Sequence, residues 1–345
     1  MKILIDIGHP AHVHYFKNLI RIMEASNNTK FIVTARDKEM THYLLDHYKI
    51  RYYNRGRGSD SVIGKLLYLI VANIKLLIIS LKHKPDIFLS FGSPYAAQVS
   101  YILRKYSITL DDTENAKLGQ LFYRYFTNKI LSPISFSKNF GRKHIKFNGY
   151  MEMSYLHPNY FQPNSDVLHL LKLNPEDRFT FIRFVKWKAN HDLGHNGISV
   201  ENKFLAVKRF SEYGKVFISS EEILPPKFDK YLIKIPKHLI HSVLFYASLV
   251  YGESATMASE SAVLGTPSIY LDNEGRGYTD EQEKLYGLVF NFSESEDDQI
   301  KSINKGIKIL RDNLKSEYKI KRKSLLNDKI DVTRFMIDQL ENERK

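Results

Sequence analysis

The sequence predicts an α/β chain made of two doubly wound domains, and three observations carry that expectation. Strand-like apolar runs alternate with segments of helical period through the first half. The alternation stops at "PNSDVLHLLKLNPEDR" (163–178), polar and proline-punctuated, and then restarts. A length of 345 residues is more than one core usually serves, so two domains are expected, 1–160 and 161–345. The final helix is expected to pack back on the first domain.

In the first half, "KILIDIG" (2–8), "KFIVTA" (30–35), "IRYYN" (50–54), "DIFLSFG" (86–92), "SITLDD" (107–112) and "NKILSPI" (128–134) read as strands. Between them "HVHYFKNLIRIMEAS" puts Val13, Phe16, Leu19, Ile20 and Met23 at helical spacing. "KEMTHYLLDHY", residues 62–82 and "SPYAAQVSYILRKY" supply the next helices, and "KHIKFNGYMEMSYLHPNYFQPN" closes the half. In the second half strands are expected at 179–184, 215–220, 231–235, 249–254 and 267–272. Helices are expected at 201–213, 238–247 and 256–265, with a helical C-terminus over 296–345. Consecutive strands joined through helices run parallel, with helices on both faces. Such sheets bind ligands at the carboxyl ends of their strands, and two facing domains would form a cleft.

Composition narrows the chemistry. There is no cysteine, which excludes disulfide scaffolds, thiolate zinc sites and cysteine nucleophiles. The chain opens on a strand-like "MKILIDIG" and shows no charged leader with an apolar region, so a cytoplasmic location is expected, at the inner face of the cell membrane. A net charge of +13 allows anionic partners. No zinc-finger spacing or RNA-binding signature accompanies it, so nucleic acid is not an expected partner. Residues 62–81, "VIGKLLYLIVANIKLLIISL", are the most apolar stretch, but Lys65, Asn73 and Lys75 argue against a membrane span. The choice is between a crossover helix packed on the sheet and a helix lying on an anionic membrane.

Four constellations carry candidate chemistry. In "YGESATMASESAVLGTPSIYLD" (251–272) a strand ends, Gly252 permits a tight turn, and Ser254 or Thr256 caps a helix. Its first-turn N–H groups and dipole favour a phosphate, and Glu260 stands one turn deeper, where a carboxylate can accept ribose hydroxyls. An ordinary capped helix would look the same. "IDIGHPAHVHYF" places His9, His12 and His14 at a strand-to-helix loop. A neutral imidazole there can serve as a base, with His12 the first choice and His9 the second. His12 and His14, two apart, point in different directions on a helix, which argues against paired metal ligands. "RFVKWKANHDLGHNG" (183–197) offers Arg183 or Lys186 for phosphates and Trp187 for stacking on a base or sugar; His191 joins them as a binding candidate. "SITLDDTENA" (107–116) sets Asp112 and Glu114 at a strand's carboxyl end as alternative bases, though acidic residues also favour a first helical turn.

"SATMASESAVLGTPSI" resembles the donor-binding signature of GT-B glycosyltransferases, in particular the peptidoglycan N-acetylglucosaminyltransferase. With "IDIGHPAHVHYFK", "LDDTENA" and "RFVKWKANHD", the whole chain is similar to the domain-of-unknown-function 354 family of predicted glycosyltransferases. It is more distantly similar to the hydrolysing UDP-N-acetylglucosamine 2-epimerases. The resemblance implies a GT-B fold, two Rossmann-like domains facing across a cleft, with acceptor binding in the first and donor binding in the second. It implies that Glu260 holds the ribose, that the turn of Ser254, Ala255, Thr256 and Met257 holds the phosphates, and that Asp280, Glu281 and Gln282 meet the donor sugar. His12 matches the histidine of the family's first loop. The expected activity is transfer of a sugar from a UDP-linked donor to a glycan or lipid-linked glycan of the cell surface. No cofactor and no metal are expected, and an anionic membrane is an expected peripheral partner. A hydrolysing 2-epimerase and a non-catalytic nucleotide-sugar-binding protein are the alternatives.

Overall fold

A computed structural model describes residues 1–26, 29–59, 61–186 and 196–343. Met1–Tyr155 together with the segment from Lys329 form one compact unit, and Leu156–Asp328 form the other. The division thus falls at 155/156, five residues before the boundary expected from the linker, and the end of the chain belongs to the first unit.

The first unit is built on seven strands: β1 (Lys2–Ile7), β2 (Lys30–Arg36), β3 (Tyr52–Gly56), β4 (Ile87–Phe91), β5 (Tyr106–Leu110), β6 (Lys129–Pro133) and β7 (His144–Phe147). Their order is β3-β2-β1-β4-β5-β6-β7, and every pairing is parallel. The helices are α1 (Pro10–Ala25), α2 (Thr41–His47), α3 (Val62–His83), α4 (Pro94–Ile102), α5 (Lys117–Arg124) and α6 (Met153–Leu156). β1 lies between β2 and β4, so Ile3, Leu4, Ile5 and Ile7 are all fully buried, as a strand covered on both faces requires.

In the second unit the strands are β8 (Phe179–Phe184), β9 (Lys215–Ser220), β10 (Leu249–Gly252), β11 (Ser268–Leu271) and β12 (Val289–Phe292). They run parallel in the order β12-β11-β10-β8-β9. Its helices are α7 (Asp166–Leu170), α8 (Val200–Phe210), α9 (Ile240–Tyr246), α10 (Ala255–Leu264), α11 (Gly277–Glu281), α12 (Glu296–Asp312) and α13 (Lys315–Asp328). α14 (Val332–Asn342) returns to the first unit and packs on α1, with Thr333 Oγ1 donating to Ser154 O at 2.7 Å.

The strand expected at 231–235 is not formed. A 3-10 turn occupies Pro226–Tyr231, and only a single bridge joins Leu232 to Ile218. Pro225, Pro226 and Pro236 bracket the segment, and none can donate a ladder hydrogen bond. β7 and β12 were not anticipated; each is a four-residue edge strand whose short run carries little periodic signal. Strand order reverses between β1 and β4 in one sheet and between β8 and β10 in the other, which makes those carboxyl ends the places to look for a ligand.

Candidate functional site

In the first unit, the reversal point is organised around Asp6, a carboxylate buried within an otherwise apolar strand. Thr34 Oγ1 donates to its Oδ1 (2.8 Å) and Ser93 Oγ to its Oδ2 (2.5 Å). Arg55 Nε lies 3.0 Å from Oδ1, and both side chains of this ion pair are excluded from solvent. Arg55 is held in turn by Tyr68 Oη, which accepts at 3.1 Å, and by the face of Tyr95 at 4.3 Å. β1, β2, β3 and the start of α4 are therefore locked together at their carboxyl edge.

The histidine loop follows directly. His9 caps α1, its Nδ1 accepting from Ala11 N–H at 3.3 Å, while Pro10 supplies the first helical residue. His12 Nδ1 accepts from Gly8 N–H at 3.2 Å. An imidazole that accepts through Nδ1 carries its neutral-form proton on Nε2. Burial, followed by the charges of Lys38 and Arg36 and offset in part by Glu39, holds His9 down at about 4. Burial, then His9, Lys38 and Arg55, hold His12 well below the usual histidine range. Near neutral pH both rings are thus hydrogen-bond donors through Nε2, a geometry that runs against proton abstraction by His12 or His9. His14 faces elsewhere: it is buried, stacked on Tyr155 at 5.2 Å and within 3.3 Å of Lys17 Nζ.

The acidic turn after β5 divides its labour. Asp111 is buried and accepts from Thr113 N–H (3.0 Å), Gln120 Nε2 (3.1 Å) and Tyr123 Oη. Burial raises its pKa against those donors. Asp112 accepts from Thr113 Oγ1 at 3.0 Å. Glu114 Oε1 accepts weakly from Ser137 N–H at 3.4 Å, and its Oε2 is buried with no partner.

In the second unit β10 ends at Gly252, whose φ of +148° sets its α-carbon against β8. A Cβ there would stand 1.9 Å from Arg183 O, so only glycine fits. Ser254 then caps α10, its Oγ accepting from Met257 N–H at 3.4 Å. The cap leaves the N–H groups of Ala255 and Thr256 at the positive end of the helix dipole, the arrangement that receives phosphate. Glu260 is buried deeper in α10, with Oε1 2.9 Å from His241 Nε2. The expected ribose ligand thus also holds a neighbouring helix through a histidine.

The remaining candidates are engaged to different degrees. Arg183 bonds Ser219 Oγ at 2.8 Å and pairs with Glu221, while Lys186 is exposed. Gln282 is buried and donates to Ser259 Oγ at 2.8 Å, leaving its Oε1 unpartnered. Asp280 is exposed and Glu281 half-buried, so these three neighbours do not share one environment. Trp187 and His191 lie outside the described residues. Among the described residues no group of three histidine or acidic side chains could hold a metal ion.

Sequence reasoning passed over the buried carboxylates that hold the backbone at Val185 and at residues 196–198. Glu253 Oε2 accepts from Val185 N–H at 3.0 Å and its Oε1 from Ile198 N–H at 2.7 Å. Glu294 Oε2 accepts from both Asn196 and Gly197 N–H at 2.7 Å. Arg276 was also missed; it sits at the carboxyl end of β11, within 4.0 Å of Asp272 Oδ2. For Asp6 the signal was present, an acid inside "ILIDIG". For Glu253 and Glu294 none was, because their partners are backbone groups distant in sequence.

The fold has solved counterparts. The structure is similar to a UDP-GlcNAc 2-epimerase from Neisseria meningitidis bound to UDP-GlcNAc, with TM-score 0.72 and 13% identity over 99% of this chain and 100% of that one. It is similar to S. aureus MnaA in a UDP co-structure, with TM-score 0.71 and 13% identity over 99% and 96% of the two chains. It is also similar to the spinosyn rhamnosyltransferase SpnG complexed with thymidine diphosphate, with TM-score 0.62 and 12% identity over 99% and 100%. These likenesses establish the GT-B fold class. In sequence, an uncharacterized protein of Methanocaldococcus jannaschii is 23% identical over 279 residues, 78% of this chain and 81% of that protein. The family model described as "Protein of unknown function (DUF354)" matches residues 1–345, and the chain belongs to that family.

Proposed function

We propose that the protein is a glycosyltransferase that takes a sugar from a nucleoside-diphosphate donor, UDP-linked, and passes it to a hydroxyl of a glycan or lipid-linked glycan. The observation that carries this reading is the Ser254-capped start of α10 after Gly252, at the strand-order reversal of the second sheet. Three structural neighbours were solved with UDP, UDP-GlcNAc or thymidine diphosphate, which supports a nucleotide ligand for this fold.

In the proposed reaction the diphosphate rests on the N–H groups of Ala255 and Thr256, with Lys186 and Arg276 offsetting its charge. Glu260 accepts ribose hydroxyls from its place one turn deeper in α10. The acceptor oxygen bonds to the anomeric carbon, and the bond from that carbon to the diphosphate oxygen breaks, its electron pair leaving with the diphosphate. A carboxylate takes the acceptor's proton. Glu114 suits that role through its partner-free Oε2, and His9 and His12 serve as neutral donors to substrate oxygens. No step calls for a metal ion; backbone N–H groups and cationic side chains supply the electrostatics.

A second reading, hydrolytic 2-epimerisation, is favoured by the epimerases among the neighbours. A melting screen against UDP-, GDP-, CMP- and dTDP-sugars identifies the donor, because a ligand of the native state raises the midpoint. Incubation with UDP-N-acetylglucosamine alone then separates the readings. Free N-acetylmannosamine means epimerisation; sugar loss that needs an added acceptor means transfer. A screen in which no nucleotide sugar shifts the midpoint contradicts both.

A further inference from the structure

α3 is 22 residues long, yet it is not a core helix. Ile63, Leu67, Ile70, Val71, Ile74, Ile78 and Leu81 are 46–73% exposed. At 100° per residue these seven fall within an arc of about 100°. The opposite side seats Ala72 and Leu76 on the sheet, where Leu76 joins the cluster of Leu4, Ile32, Phe88, Ala96 and Val99. The apolar stripe therefore faces away from the core.

The stripe continues onto α4 and α5. Asn73 Nδ2 donates to Gln98 Oε1 at 2.8 Å, and Gln98 Nε2 donates to Phe122 O at 3.2 Å, so one side chain stitches the three helices together. Tyr101 and Ile102 at the end of α4 are exposed, as are Leu118, Leu121 and Phe122 on α5 and Tyr125 just beyond it. A soluble monomer rarely shows so large a contiguous apolar surface without a partner for it.

Charge decides the partner. The segments 62–83, 94–105 and 117–125 contain no aspartate or glutamate, but they carry Lys65, Lys75, Lys82, Arg104, Lys105, Lys117 and Arg124. A second copy of this face would bring like charges together. An anionic bilayer offers acyl chains to the stripe and headgroups to the lysines. α3 is long and apolar enough to cross a membrane by length and composition. Leaving the sheet would strip Leu76 from its core cluster, so a flat seating is the one compatible with the fold. We propose that the α3–α4–α5 face docks the first unit on an anionic phospholipid surface. This inference does not depend on the glycosyl-transfer reading.

The test is co-sedimentation of the full chain with phosphatidylcholine vesicles, with and without phosphatidylglycerol, at low and high salt. Binding is expected only with phosphatidylglycerol at low salt, with release by salt. Ile70→Glu/Ile74→Glu/Ile78→Glu should abolish binding and leave the melting midpoint and UDP binding at parental values, since all three side chains are exposed. Lys82→Gln/Lys105→Gln/Lys117→Gln, all exposed, should weaken binding on the order of a hundredfold, about fivefold per headgroup lysine. Parental binding by the triple-glutamate variant overturns the proposal, and so does failure of the parent to bind phosphatidylglycerol vesicles. A concentration-dependent dimer abolished by the triple-glutamate change, without vesicle binding, assigns the face to a second copy instead.

Discussion

Two ring nitrogens decide the chemistry that the histidine loop can offer. Because Gly8 N–H points at His12 Nδ1 and Ala11 N–H at His9 Nδ1, a second proton on either ring would meet a donor already in place. In the proposed reaction the base role is therefore given to a carboxylate. Glu114→Gln should therefore lower turnover by about 10²–10⁴-fold while UDP affinity, measured by calorimetry, stays at the parental value. Parental turnover in that variant removes Glu114 from the role. The histidines also leave a mark on acid stability. Their folded pKa values lie below the ordinary 6.5, so the unfolded chain binds more protons once the pH drops below that value. Stability is fully present above 6.5 and is lost as the pH falls toward about 4, where His9 itself titrates. Denaturation midpoints followed across that window should fall less steeply for His9→Asn/His12→Asn than for the parent. Parallel curves would mean that neither ring is held neutral by the fold.

At the scale of elements, the β10–α10 turn is tightly constrained by the approach of Gly252 to β8. Gly252→Ala forces a Cβ onto the backbone of β8 and should cost about 1–3 kcal/mol, read as a lower denaturation midpoint. An unchanged midpoint would show that the strands can part there without cost. The sequence made this turn legible because its signals are local: a glycine, a serine cap and a helix that ends at Gly265–Thr266–Pro267. The central strands were legible for a related reason, since burial on both faces leaves unbroken apolar runs such as "KILI". Edge strands β7 and β12 carry less of that signal, and the apolar "YLIKI" looked like a strand although prolines on both sides cut it off. The candidate site was readable as residue types on loops, not as partnerships. That Glu260 meets His241, that Glu253 holds Ile198, or that Glu294 holds Asn196, depends on contacts 19 to 98 residues apart.

For the whole molecule, two parallel sheets each carry a strand-order reversal, the position at which such sheets generally take a ligand. The central claim concerns the second: a nucleoside diphosphate rests on the first turn of α10. Ala255→Pro tests it at one atom. Proline is well tolerated at the first helical position and removes only one of the two N–H groups proposed to meet phosphate. Ser254 already has the extended backbone, φ −103° and ψ 107°, that a following proline favours. Calorimetry with UDP and with uridine measures the diphosphate's share of the affinity directly. The parent should bind UDP more tightly than uridine. Ala255→Pro should keep its melting midpoint and its uridine affinity but lose about 1.5–3 kcal/mol of UDP binding, the scale of a hydrogen bond to a charged group. Equal binding of UDP by variant and parent, or a parent that does not distinguish UDP from uridine, would contradict it.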